Sequence, residues 1–289
     1  MKSTTFGPRS RAGRWLPGAA LLIGAALSGC QSPQQALQAL AASHGQRLEI
    51  ISTQAFPLAL SVSLQRLDSS RIRIYLEGDG RAWATSSQPS LDPSPRHLLM
   101  AEMAFNDPTP SLYLARPCQF VRAPACRPAL WTDRRFSPEV LDSLDQALSQ
   151  IKARFGNQDF ELIGYSGGAA LALLLAARRD DIAQVQTLAG NLSPRQWAEL
   201  LRLSPLQGSL DPLDYRERLA RIPQRHIVGR DDPIVPPALL DSYRQALGTA
   251  TCLEAVVVPG VTHAEGLADA WAKWRERPIR CAEPTTRQP

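Results

Sequence analysis

Residues 160–178 restrict what this 289-residue chain can fold into more than any other stretch. Phe160-Glu161-Leu162-Ile163 is a strand-length apolar run. Gly164-Tyr165-Ser166-Gly167-Gly168 follows without a spacer, and Ala169 opens a run of small and apolar residues that closes at Arg178. A strand that enters a helix through so short a turn needs minimal side chains, and the backbone angles required are open mainly to glycine. The product is a strand–turn–helix unit, and such units assemble into a parallel sheet with helices on both faces.

The alternation continues on either side. The chain predicts strands at 48–53, 58–64, 71–76 and 111–115, then at 182–188, 225–229 and 253–258. Helices are predicted at 97–105, 138–151, 193–203, 212–219, 237–247 and 264–275. The helix from Pro138 is signalled by proline in its first turn and by the spacing of Val140, Leu141, Leu144, Leu148 and Ile151. Residues 86–95 are Ser- and Pro-rich and read as a loop. Residues 116–135 are rich in Pro and Cys with little periodicity, and read as an excursion from one domain. The connection between the strands at 182 and 225 leaves no room for a large lid domain.

The formal charge is +5, but Lys2, Arg9, Arg11 and Arg14 carry four of those charges, and no acid lies among the first 29 residues. The remainder is close to neutral and shows no basic stripe interleaved with aromatics, so nucleic-acid binding is not expected. A basic start followed by an apolar stretch over 15–27, too short for an ordinary membrane span, reads as an export leader. It ends Leu27-Ser28-Gly29-Cys30, which resembles the bacterial lipobox. That resemblance implies cleavage before Cys30, lipidation of Cys30, and outer-membrane sorting because Gln31 follows. The alternative is a plain secretory leader with an incidental cysteine. Residues 30–46 are expected to be a tether, in which 36–42 could form a helical turn or two, and 283–289 a disordered tail. Cys118, Cys126, Cys252 and Cys281 remain. Four cysteines in an exported chain suggest two disulfides among three possible pairings. The sequence-local pairing, Cys118–Cys126 with Cys252–Cys281, is favoured, and free thiols are the alternative.

Ser166 between Gly164 and Gly168, at a strand-to-helix turn, resembles the nucleophile elbow of the α/β-hydrolases. The order of chemistry after it is similar to that family's too. Gly229-Arg230-Asp231-Asp232-Pro233 follows a predicted strand, with a Val-Pro pair at Val235-Pro236, and resembles the family's acid loop; this selects Asp232, with Asp231 as the competing choice. His263 lies between the last predicted strand and the last helix, where the family carries its base. A serine hydroxyl needs such a base to take its proton, and the base needs a carboxylate to orient it and stabilise its cation. His226, inside a strand, reads as a core residue. The resemblance also implies two backbone donors for a developing oxyanion, Gly167 after the nucleophile and one in Glu77-Gly78-Asp79-Gly80 after the strand ending at Leu76. Asp79 is the expected second donor and Gly80 the alternative. Its acidic side chain departs from the family pattern and would oppose the oxyanion unless turned away or paired, for instance by Arg81. Trp83 and Trp131 could line a pocket, and Asn191 could shape the site.

The chain is therefore identified as similar to α/β-hydrolase serine hydrolases of the bacterial lipoprotein type. The resemblance covers 72–274 and implies one α/β-hydrolase domain over 47–282, preceded by a leader over 1–29. The implied activity is acyl-bond cleavage, ester first, on a small or lipid-like acyl substrate, with the membrane as partner through the anchor. A periplasm-facing site, no cofactor, no metal and no obligate protein partner are also expected. A peptidase, thioesterase or acyltransferase would use the same residues, and a binding or scaffold lipoprotein would retain the fold without turnover.

Overall fold

The computed structural model describes residues 1–5, 7, 31–64, 67, 69–250 and 252–281. Of the expected leader only residues 1–5 and 7 are described; the lipidation expected at Cys30 and the tail expected over 283–289 lie outside these residues. Chain contacts divide the molecule into Met1–Gln31 and Ser32–Pro289, and the second unit carries all the secondary structure described.

The segment expected to be a tether is instead a helix, α1 (Pro33–Ser43). Its start is a complete capping box: the Ser32 hydroxyl accepts from the Gln35 amide while the Gln35 side chain accepts from the Ser32 amide. Leu37 and Ala41 bury one face, so the helix belongs to the folded unit. The first strand, β1 (Gln46–Ser52), follows almost at once. It pairs antiparallel with β2 (Pro57–Ser63). Next come β3 (Arg71–Leu76), α2 (Leu99–Phe105), β4 (Ser111–Leu114), α3 (Pro138–Phe155), β5 (Asp159–Tyr165), α4 (Gly167–Arg178) and β6 (Ile182–Leu188). The chain ends through α5 (Pro194–Leu200), α6 (Arg216–Leu219), β7 (Gln224–Gly229), α7 (Pro237–Leu247), β8 (Leu253–Val258) and α8 (Leu267–Trp274).

The sheet runs in the order β1-β2-β4-β3-β5-β6-β7-β8, and every pairing from β4 to β8 is parallel. The expected mostly parallel sheet with helices on both faces is thus the observed one. One apolar layer packs α3, α4, α6 and α7 against the sheet; the other packs α1, α2 and α8. α4 is buried along nearly its whole length, and the small residues Gly167, Gly168, Ala169, Ala170 and Ala172 let the helix sit close to the central strands. Because β3 and β5–β8 all point the same way, the loops after them gather at one edge, the place where open parallel sheets hold ligands.

Charged residues also cross the sheet. Arg73 pairs with Asp107 and Glu161, their side chains buried, and the buried Arg225 pairs with the partly buried Glu254. Both arginines reach the C-terminal end of α8: Arg73 donates to the Arg275 carbonyl, and Arg225 to those of Trp274, Arg277 and Pro278. The last carbonyls of a helix lack internal partners, and cationic donors there satisfy them and complement the helix dipole. Cys252–Cys281 closes the same region, and Cys118–Cys126 closes the excursion after β4, so both bridges follow the favoured pairing.

Candidate active site

Ser166 sits between β5 and α4 with φ 50° and ψ −121°. That left-handed backbone is strained for a residue with a side chain, and it lifts the hydroxyl clear of both elements. The flanking glycines are obligatory on packing grounds. A Cβ on Gly164 would lie 2.6 Å from the Ala169 Cα and the Gly168 oxygen, and one on Gly168 would meet the backbone of Leu76 and Glu77. The Ser166 amide donates to the Leu188 carbonyl, and the Asn191 amide donates to the Ser166 carbonyl, so the neighbouring strand end fixes the turn.

His263 Nε2 is 3.0 Å from Ser166 Oγ, and His263 Nδ1 is 2.8 Å from Asp232 Oδ2. A carboxylate only accepts, so Nδ1 carries the proton and Nε2 is left to accept from the serine hydroxyl. Asp232 is buried, and its other oxygen accepts from the Ile234 and Val235 amides at 2.8 and 2.9 Å. Asp231, the competing acid, is exposed; its carboxylate accepts from the Gly260 amide and ties the acid loop to the turn after β8. The Tyr165 ring lies against the His263 imidazole with centroids 5.3 Å apart.

The turn after β3 lies across the elbow. Gly167 opens α4, where backbone N–H groups have no intrahelical acceptor, and among the described residues the Asp79 amide has no acceptor either. The Asp79 side chain occupies the space a Cβ on Gly167 would need, so it does not turn away from the elbow. It is paired, but not by Arg81. Arg116 bonds to its Oδ1, and Arg135 Nη1 bonds to its Oδ2 at 2.6 Å. Both guanidiniums are buried, and together they outweigh the cost of desolvating the carboxylate and hold Asp79 below the usual carboxylate range. These arginines bracket the excursion stapled by Cys118–Cys126. Gln119, inside it, donates to the Gly78 carbonyl at 2.9 Å. The excursion is thereby a buttress for the turn. Beneath it Glu77 is buried; it accepts from the Tyr113 hydroxyl and the Gly78 amide, yet burial outweighs these donors and pushes its pKa up to about 7.

A cavity of about 530 Å³ is bounded by Ser166, His263, Tyr165 and Asn191, with Trp83 and Trp197 among its apolar walls. Trp131 is buried instead against the loop at Ser90, to whose carbonyl it donates. His226 is a core residue bonded to Thr187 and Gln224, and its burial lowers its pKa to about 3. Sequence reasoning missed Arg116, Arg135, Tyr165 and Trp197. Only Tyr165 had a local signal, its place inside the elbow. Among the described residues no group of three or more His, Cys, Asp or Glu side chains converges as a metal site would require.

No family profile matches the chain, and no curated protein matches it. Solved structures do. An esterase of Pyrococcus furiosus superposes with a TM-score of 0.58 at 13% identity, over 93% of this chain and 95% of that one. An alpha-beta serine hydrolase homologue from Coxiella burnetii gives 0.50 at 13%, over 78% and 94%. The chain has the α/β-hydrolase fold. A puromycin hydrolase gives 0.55 at 12% over 78% of this chain, which spans 36% of that larger protein. At such identities the α/β-hydrolase likeness is one of architecture, and the chemistry rests on the chain's own side chains.

Proposed function

We propose that the protein is a serine hydrolase that cleaves a carboxylic ester through an acyl-enzyme, exported and held to the outer membrane by a lipid on Cys30. The hydrogen-bonded chain Ser166–His263–Asp232 is the observation that carries the catalytic part. Ser166 Oγ adds to the substrate carbonyl carbon as its proton passes to His263 Nε2, and the Asp232 carboxylate stabilises the imidazolium. The carbonyl oxygen takes up the negative charge facing the amides of Gly167 and Asp79. Collapse of the tetrahedral intermediate expels the alcohol, which takes the proton from His263. Water then adds to the acyl-enzyme as His263 takes its proton, and the second intermediate collapses with Ser166 Oγ leaving and recovering that proton from His263 as the carboxylic acid is released.

An acidic side chain beside the elbow would favour a binding or scaffold protein without turnover; Arg116 and Arg135 offset the charge of Asp79, which supports the hydrolase reading. The experiment is fluorophosphonate labelling of cell fractions. Wild-type protein is expected to label in the membrane fraction, Ser166→Ala to lose the label and the turnover of short-chain 4-nitrophenyl esters, and Cys30→Ala to move labelled protein to the soluble fraction. A folded wild-type protein that neither labels nor turns over esters refutes the hydrolase reading; label that stays membrane-bound in Cys30→Ala refutes the anchor.

A further inference from the structure

The cavity beside Ser166 is uneven in charge. Two carboxylates line it, Glu77 and Asp79, and both are engaged by donors of the protein itself. Asp79 is held between Arg116 and Arg135. Glu77 is buried and accepts from Tyr113 and Gly78. Against them stand Arg135 and two further guanidiniums in the lining, Arg81 and Arg96. Arg81 and Arg96 are exposed, and among the described residues their side chains make no ion pair, hydrogen bond or ring contact. With Arg116 behind the wall, four guanidiniums face two engaged carboxylates. This excess is local, because the chain beyond its leader is close to neutral.

A guanidinium presents a planar fork of donors that fits a carboxylate or phosphate at two points, and it stays charged at any working pH. A cleft with apolar walls weakens solvent screening and concentrates ligands of the opposite sign. Trp83 and Trp197 supply such walls here. The volume, about 530 Å³, lies in the range of small-molecule sites and leaves room for an acyl chain with a charged end.

We infer that the site selects ester substrates that carry an anionic group, bound by Arg81 and Arg96 at the mouth of the cavity while the ester carbonyl reaches Ser166. This deepens the hydrolase reading and rests on it. The charged group is one whose geometry the guanidinium fork matches, a carboxylate or a phosphate.

The test uses the full chain at low ionic strength and two esters of one acyl length, 4-nitrophenyl hydrogen glutarate and 4-nitrophenyl methyl glutarate. The kcat/KM for the charged ester is expected to exceed that for the neutral one by about tenfold. That ratio is expected to fall to about one in the Arg81→Gln/Arg96→Gln variant and to shrink with added salt. Glutarate and glycerol 3-phosphate, each as competitor of the neutral ester, separate the two sources of charge, and the stronger inhibitor names the group. Competition by either that is lost in the double variant supports the site. A wild-type ratio of one or below with no competition by either anion overturns it. Failure of the hydrolase reading looks different: neither ester turns over and fluorophosphonate leaves Ser166 unlabelled.

Discussion

A lone carboxylate beside Gly167 would repel the negative charge that forms on a substrate carbonyl. Asp79 is not alone, and its two arginines make the local sum positive. In the mechanism proposed above, removing Arg135 while keeping its bulk leaves more negative charge where the oxyanion would develop. Arg135→Met is expected to lower kcat by about 10- to 100-fold with a smaller change in KM. Adding Asp79→Asn to that variant is expected to restore part of the loss, since the repelling charge is gone. Rates of the two single variants and the double one form the cycle that checks this. A purely structural role for Arg135 gives no recovery in the double variant. At this scale the candidate acid, base and nucleophile are legible because Gly and Pro punctuate each loop, and the structure brings Ser166, His263 and Asp232 within hydrogen-bond distance of one another. Arg81, one partner the sequence offers for Asp79, does not pair with it. The true partners lie 37 and 56 residues away, and no spacing rule connects them.

Two elements hold the site, and each has its own disulfide. The buttress after β4 brings Arg116, Gln119 and Arg135 to the turn after β3, and Cys118–Cys126 closes it over only eight residues. At the other end, His263 lies in the loop that leads into α8, whose far end is clamped by Arg73, Arg225 and Cys252–Cys281. The two bridges are expected to act differently. Replacing both Cys118 and Cys126 by Ser frees the buttress and lowers kcat more than stability. Replacing Cys252 and Cys281 by Ser opens a 29-residue loop and costs about 3 kcal/mol of stability. Its effect on kcat is smaller, because the guanidinium–carbonyl bonds still hold α8. Urea melts and steady-state rates on the two double variants separate these outcomes; equal losses of kcat would refute the division. The strands were legible as β-branched alternation and the long helices as apolar spacing. Residues 31–46 read as a tether with a helical turn or two over 36–42, because an alanine-rich segment gives a weak amphipathic signal; the full length of α1 follows from the capping box of Ser32 and Gln35.

For the whole molecule, two buried groups set opposing pH dependences. Glu77 is raised from 4.5 to about 7 by burial, so the native state keeps a proton that the unfolded chain gives up. Its stabilising contribution is full below about pH 4.5 and is lost as pH rises through about 7. His226 is lowered from 6.5 to about 3, so its contribution is full above about pH 6.5 and is lost as pH falls through about 3. Between these limits the two slopes oppose. Glu77→Gln removes one of them. Its stability relative to wild type is expected to rise by a few kcal/mol between pH 5 and pH 8, read as the change in unfolding free energy from urea melts at each pH. A difference that stays constant with pH would exclude titration of Glu77 across this window.

The order of strands and helices, the elbow, the acid loop and the histidine loop were determined by the sequence alone. Each is a short-range matter of a strand ending, a glycine that must bend or a proline that must stop. Parallel topology then carries those loop ends to one edge of the sheet, whatever the distance along the chain. The sign of the charge around the turn after β3, and the guanidiniums of Arg81 and Arg96 in the cavity lining with no ion pair among the described residues, were decided only in three dimensions. Ion pairs are made by distance through space, and arginines on an irregular excursion leave no period in the sequence from which that distance could be read.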